Sequence, residues 1–186
     1  MLQERCQELS SPALDGFSYH KVESSNNKEK KFLVDGVEMP YVLWASNHSF
    51  AIACPKPLAE GHVLVFPKRQ VAYSIDLPQD EFYDLHRLAY AVGGELKKLY
   101  DGDATGLYAN DGREGPDAGK HTYYNVWSAK ESEKDVSCER YDKVESSILI
   151  DAQHMDWEEY SKHAKLILDR RESQKNPEEK NPEKKK

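Results

Sequence analysis

The sequence predicts an α+β domain, an antiparallel sheet with helices packed on one side of it. Three observations point there: short apolar stretches at Phe50–Cys54 and His62–Phe66, a β-rich stretch from His121 to Trp127, and one long amphipathic run from Phe82 to Leu99.

Taken in order, residues 1–30 are polar, and Ser-Ser-Asn-Asn-Lys-Glu-Lys-Lys at 24–31 closes what reads as a loose arm. Lys31–Val34 and Tyr41–Ala45 read as strands, with Asp35-Gly36 as a tight turn after the first. Phe50–Cys54 and His62–Phe66 follow as two strands separated by a connection holding Pro55, Pro57 and Gly61. Leu77-Pro78-Gln79-Asp80-Glu81 starts a helix, since proline suits the first turn and carboxylates suit the positive end of the helix dipole. Phe82, Leu85, Ala89, Val92, Leu96 and Leu99 recur at alternating spacings of three and four, one continuous apolar face. Gly93-Gly94 interrupts that helix at roughly 1 kcal/mol each relative to alanine, and missing side chains there let a helix sit close to a sheet. Asp101-Gly102 ends it. A strand from Thr105 to Asn110, a loop rich in glycine and acid, and the strand at His121 come next. A second helix spans about 156–171, with Trp157, Tyr160, Ala164 and Ile167 on one face. The organisation expected is an arm (1–30), one domain (31–172) and a disordered charged tail (173–186) that repeats Asn-Pro-Glu.

Composition narrows the function. The chain has 186 residues, 32% of them charged and 38% hydrophobic, and a mean hydropathy of −0.84. No apolar run reaches the ~20 residues that cross a bilayer, and the N-terminus resembles neither a secretory signal nor a mitochondrial presequence. These features predict a soluble, cytoplasmic protein with no membrane partner. Cys6, Cys54 and Cys138 are odd in number and far apart, which suggests neither a disulfide framework nor a zinc knuckle. From Arg170 onward seven Lys and Arg face four Glu, a net of +3 against −7 for the whole chain, leaving −10 on the body. An acidic body argues against general nucleic-acid binding, which needs basic surface to displace counterions. The histidines outside 121 stand too far apart to suggest a metal site, and no metal or cofactor is expected.

Chemistry concentrates between Thr105 and Lys130. Along the strand after the loop, His121, Tyr123, Asn125 and Trp127 share one face by the period of two. Imidazole, phenol, amide and indole in a row form either a strip facing a ligand or an ordinary half-exposed sheet face.

From Asn47 to Lys130 the sequence resembles the histidine-triad (HIT) superfamily, most of all its fragile-histidine-triad branch of dinucleoside polyphosphate hydrolases. The resemblance rests on Ser-Phe-Ala-Ile-Ala-Cys-Pro-Lys-Pro (49–57), Gly-His-Val-Leu-Val-Phe-Pro-Lys-Arg (61–69), Asp-Leu-Pro-Gln-Asp-Glu-Phe-Tyr-Asp-Leu (76–85) and the Asn110-Asp111-Gly112 turn. It implies a HIT-like fold, a bent antiparallel sheet with one long helix plus here a C-terminal helix, and a homodimer. The family's signature is H-φ-H-φ-H-φ-φ with φ apolar, and its middle histidine attacks the α-phosphate to form a nucleotidyl-histidine. Aligned with that signature, the three positions fall on His121, Tyr123 and Asn125, so the triad is degenerate. A phenol with a pKa near ~10 needs a base before it can attack. The strand is also similar to the H-P-H-x-Q-φ-W motif of hexose-phosphate uridylyltransferases, keeping His121, an amide at Asn125 and Trp127.

The remaining positions implied by the resemblance are mixed. Cys54 takes the place of the residue that holds the ribose and lacks its bidentate bonding. Asp117 and Gly119 fall where polar groups flank phosphate, and an aspartate there repels it. Asn110 matches a nucleotide-side position, Gly115–Gly119 can present backbone donors, Lys120 or Arg113 can supply charge, and His62 matches a histidine that bonds within the fold. Three functions follow: a reshaped pocket for a nucleotide or related phosphate ligand without the usual chemistry; an active nucleotidyl hydrolase or transferase, on dinucleoside polyphosphates or phosphoramidates, using His121 or Tyr123; or a non-catalytic interaction module whose pocket is filled by Tyr123, Tyr124 and Trp127.

Overall fold

The computed structural model describes residues 32–112, 121–130 and 155–175. Their order is β1 (Leu33–Val34), β2 (Val37–Glu38), β3 (Trp44–Ala45), β4 (Ser49–Ala53), β5 (Val63–Pro67), α1 (Gln79–Tyr100), β6 (Ala104–Asn110), β7 (Tyr123–Ala129) and α2 (Trp157–Lys175). A 3-10 turn at Ser74–Asp76 precedes α1. β1 and β2 form a separate hairpin, and the other five strands form one antiparallel sheet in the order β3-β4-β5-β7-β6. The expected α+β class, with one long helix and a C-terminal one, is the observed architecture. Residues 1–31 and 176–186, with Cys6, Cys138, His20 and His154, lie outside the described residues.

Asp35 and Gly36 both adopt positive φ, 49° and 81°, the conformation a two-residue hairpin turn requires. So tight a turn returns the chain at once. The partner of β1 is therefore Val37–Glu38, and the strand expected from Tyr41 shortens to Trp44–Ala45. α1 begins straight after Pro78, with Asp80 and Glu81 in its first turn, and ends at Asp101 in the left-handed region. Its expected face is buried at Leu85, Ala89, Val92, Leu96 and Leu99, joined by Leu88 and Ala91, while Phe82 sits half-buried at the margin. This face lies across β4, β5, β7 and β6.

The glycine pair divides the work unequally. A Cβ at Gly93 would stand 2.5 Å from the Thr105 methyl of β6, whereas one at Gly94 meets nothing within 4 Å. Only the first permits the close approach of helix and sheet.

α2 lies against β4 and beside α1. Tyr160, Ala164 and Ile167 are fully buried and His163 nearly so, but Trp157 stays 38% exposed and sets its ring edge-on to Tyr160. The helix runs to Lys175, beyond the expected end at Arg171. Arg170 and Arg171 hold it: their guanidinium groups lie 4.3 Å from the centre of Tyr100 and 4.4 Å from that of Trp44. Arg171 Nη1 also donates to the Leu43 carbonyl at 2.7 Å. No helix among the described residues is long and apolar enough to cross a membrane.

Gly93→Ala is expected to cost about 1–3 kcal/mol in urea unfolding, the penalty for forcing a methyl into a packed contact with a stiff β-branched neighbour. Gly94→Ala is expected to gain about 0.4–1 kcal/mol, because alanine restricts the unfolded chain at a helical position with room for it. Equal effects at the two sites would remove the close-approach argument.

Candidate functional site

α1 covers one face of the sheet. The register places Phe50 and Ile52 of β4, Leu64 and Phe66 of β5, Tyr123, Asn125 and Trp127 of β7, and Gly106, Tyr108 and Asn110 of β6 on the other. The strip expected from alternation is therefore one face, with His121 entering it just before β7 begins. Its groups are buried: 4% of His121, 6% of Tyr123, none of Asn125 and 2% of Trp127 is exposed. The half-exposed alternative is excluded by those values. Tyr124 points the other way, toward α1, where its hydroxyl donates to His86 Nε2 at 2.6 Å.

Aromatic packing builds the floor. Phe66 stacks on Phe50 at 5.7 Å and meets the rings of Tyr123 and His121 at 4.9 and 5.0 Å. Trp127 lies over Gly106, where any Cβ would stand about 2.1 Å from the indole, and turns its ring toward the edge of His62. Glycine at 106 is what lets so large a side chain lie flat across the neighbouring strand.

Asn125 sits at the centre, fully buried between two partners. Its Oδ1 is 3.1 Å from His62 Nε2, and its Nδ2 donates to Asn110 Oδ1 at 2.6 Å. The Leu58 amide donates to His62 Nδ1 at 3.2 Å. Burial lowers the pKa of His62 to about 4, against the raising effect of the Asn125 bond, so the ring is neutral at physiological pH. The structural role implied for His62 by the resemblance thus has its partners named.

His121 is held by one nitrogen. Its Nε2 donates to the Pro67 carbonyl at 2.8 Å, and since a carbonyl only accepts, the proton resides there. Nδ1 then carries a lone pair, buried and with no hydrogen-bond partner. Desolvation lowers this histidine's pKa, partly offset by the Pro67 carbonyl, the charge of Asp35 and the Arg69 backbone. A neutral imidazole with a free lone pair can accept a proton or attack an electrophile.

A residue that sequence reasoning passed over pins both ends of the glycine loop. The Asp111 carboxylate accepts from the Ser74 amide, from Ser74 Oγ at 2.8 Å and from Thr122 Oγ1 at 3.0 Å. Beside it, the Gly112 and Thr122 amides donate to the carbonyls of Ala72 and Val71. The signal available was an aspartate between Asn110 and Gly112 at the end of a strand, a common turn composition. Asp117, Gly119 and the loop residues 113–120 lie outside the described residues. Cys54 is buried, its Sγ bonded to the Lys56 carbonyl and its thiol pushed up to about 12 by desolvation, so it is not a nucleophile. It follows directly on β4, and its carbonyl accepts from His163 Nδ1 at 2.9 Å. Among the described residues no group of three or more His, Cys, Asp or Glu is arranged to hold a metal.

Residues 38–122 match the family model of the HIT domain, a match that stops one residue short of β7. The chain is 30% identical over 103 residues to the nitrilase and fragile histidine triad fusion protein of Caenorhabditis elegans, covering 55% of this chain and 23% of that one. It is 28% identical over 104 residues to the bis(5'-adenosyl)-triphosphatase of Dictyostelium discoideum, covering 56% and 70%. Among solved structures, that of the diadenosine triphosphate hydrolase of Plasmodium falciparum in complex with cyclomarin A superposes with a TM-score of 0.54 at 18% identity, over 73% of this chain and 95% of that one. The crystal structure of the nematode fusion protein gives 0.52 at 23% identity, over 63% and 30%. The fold is shared. The chain spans less than a quarter of the nematode relative.

The buried histidines make stability fall in mild acid. Unfolded, His62 takes up a proton near pH 6.5; folded, it does so only near pH 4, so the unfolded state binds more protons between the two. Stability present above pH 6.5 is expected to drop by on the order of 3 kcal/mol as the pH falls to 4. His62→Gln should flatten that part of a urea-unfolding profile, and an unchanged slope in the variant would exonerate His62.

Proposed function

We propose that this chain, which matches the HIT domain over residues 38–122 and is similar to fragile-histidine-triad proteins, binds a nucleotide or related phosphate ligand on the strip of His121, Tyr123 and Asn110 without forming a nucleotidyl-histidine. The observation that carries this is the employment of the strip's side chains. Tyr123 occupies the central position, its ring packed on Phe66. Asn125 has both ends of its amide committed inside the fold. Asn110 is only partly buried and keeps donor capacity. A cytoplasmic location, expected from the sequence, and a homodimer, implied by the family resemblance, belong to the same proposal.

Mechanistically, such a site recognises rather than cleaves. A phenol at the central position needs a base before it can attack, and the phosphoramidate route of an imidazole is closed at that position. A second reading, an active hydrolase or transferase, is favoured by one observation, the unpartnered Nδ1 of neutral His121, which can serve as a base. A third, the non-catalytic module, draws on the inward packing of Tyr123 and Trp127.

Calorimetric titration with adenosine, guanosine and uridine monophosphates separates them. Micromolar binding, about −8 kcal/mol, without turnover of diadenosine triphosphate supports the proposal. Turnover lost in both His121→Ala and Tyr123→Phe would establish the active enzyme instead, and no binding at millimolar ligand would leave the interaction module. Tyr123→His, which restores an imidazole at the centre, is expected to gain a covalent nucleotidyl adduct visible by mass spectrometry.

A further inference from the structure

Four polar groups run in line from the end of the β4–β5 connection to the rim of the strip: the Leu58 amide, the His62 imidazole, the Asn125 amide and the Asn110 amide. Side-chain amides and imidazoles each have two possible orientations or tautomers, so such a line has no inherent direction. A backbone N–H does, because it only donates. The Leu58 amide points at His62 Nδ1, which must therefore accept, and the ring's proton goes to Nε2. Nε2–H then donates to Asn125, which fixes Oδ1 on that side and turns Nδ2 toward Asn110. Asn110 in its turn accepts through Oδ1, and its Nδ2 faces away from the line at a partly exposed position.

We infer that His62 and Asn125 are positioning residues that lock Asn110 as a hydrogen-bond donor, so that the group recognised at this end of the strip is an acceptor, an anionic or carbonyl oxygen of the ligand. The inference rests on the proposed ligand site and deepens it by naming the polarity of one contact. The links span 3.2, 3.1 and 2.6 Å, all within hydrogen-bond range, and the two central groups are buried where a reversed link would set donor against donor. Reversal of Asn125 alone would place its Nδ2 against His62 Nε2–H and its Oδ1 against Asn110 Oδ1. Reversal of the whole line would require the Leu58 amide to face a protonated Nδ1. The backbone at Leu58 thus decides, three links away, what Asn110 offers.

The relay is tested on the full chain by long-range proton–nitrogen NMR of the histidine side chains. The expected result is His62 with its proton on Nε2; a proton on Nδ1 would overturn the relay whether or not any ligand binds. The ligand half is tested with adenosine monophosphate, whose binding is expected to move the Asn110 side-chain amide protons strongly. Saturation that leaves them in place would overturn it, and so would no binding at millimolar concentration, in which case the proposed pocket falls too while the His62 tautomer still judges the relay. Asn125→Asp offers a mutational arm: a carboxylate accepts from both neighbours, so Asn110 must turn over and present its oxygen. Affinity for adenosine monophosphate is expected to fall by about tenfold or more, the loss of one hydrogen bond to a charged acceptor, although Asn110 itself is untouched. Unchanged affinity in a folded Asn125→Asp variant overturns the inference; should that variant fail to fold, the wild-type tautomer decides.

Discussion

An amide in a place with no water makes demands on everything around it. Asn125 is fully buried at the middle of β7, between β5 and β6, and a polar group there costs about 1–3 kcal/mol if left unmet. Meeting it requires a neutral imidazole at one end and a second amide at the other. That in turn fixes β7 in register with Leu64 on one side and Tyr108 on the other. A slip by one residue would turn the amide into α1 and bring Tyr124 to the strip, so a single buried side chain specifies the alignment of the three strands that carry the site.

The edges of the same face are closed by charge and by main-chain bonds rather than by apolar packing. Lys68, just past β5, donates to the carbonyls of Ser46 and Asn47 at 2.6 and 2.8 Å, and Asp84 of α1 accepts from Ser46 Oγ and the His48 amide. The β3–β4 turn is thereby tied to both the sheet and the helix. Arg69 makes a two-pronged contact with Glu81, which holds the pair in their charged forms, but its exposure keeps the energetic worth small. Asp111 does for the other end of the site what Asp84 does for this one.

Much of this was legible from residues alone, and the exceptions have physical causes. Spacings of three and four marked α1, and a period of two put His121, Tyr123, Asn125 and Trp127 on one face, because both signals are local. The return strand at Val37–Glu38 was missed because two residues show no periodicity. Trp157 shares a face with Tyr160 by spacing, yet it stays partly exposed in the first turn of α2, its ring edge-on to Tyr160. Gly93 and Gly94 look alike in sequence; only the position of Thr105 tells them apart. The partner of His121 is the carbonyl of Pro67, a backbone group 54 residues away, which no local pattern encodes.

The anchoring of α2 by its two arginines bears on the order in which the chain assembles. Tyr160 bonds the Tyr41 carbonyl across 119 positions and Arg171 bonds that of Leu43 across 128, at 2.5 and 2.7 Å. Closing so long a loop costs conformational entropy that only a preformed docking surface repays. Trp44 and Tyr100, the two rings the guanidinium groups lie over, come from β3 and from the last turn of α1, so they are juxtaposed only when sheet and long helix are already in place. During synthesis both precede α2 out of the ribosome. α2 thus acts as a proofreader of the sheet and long helix: it locks down on a correctly built sheet and finds nothing to grip on a misbuilt one.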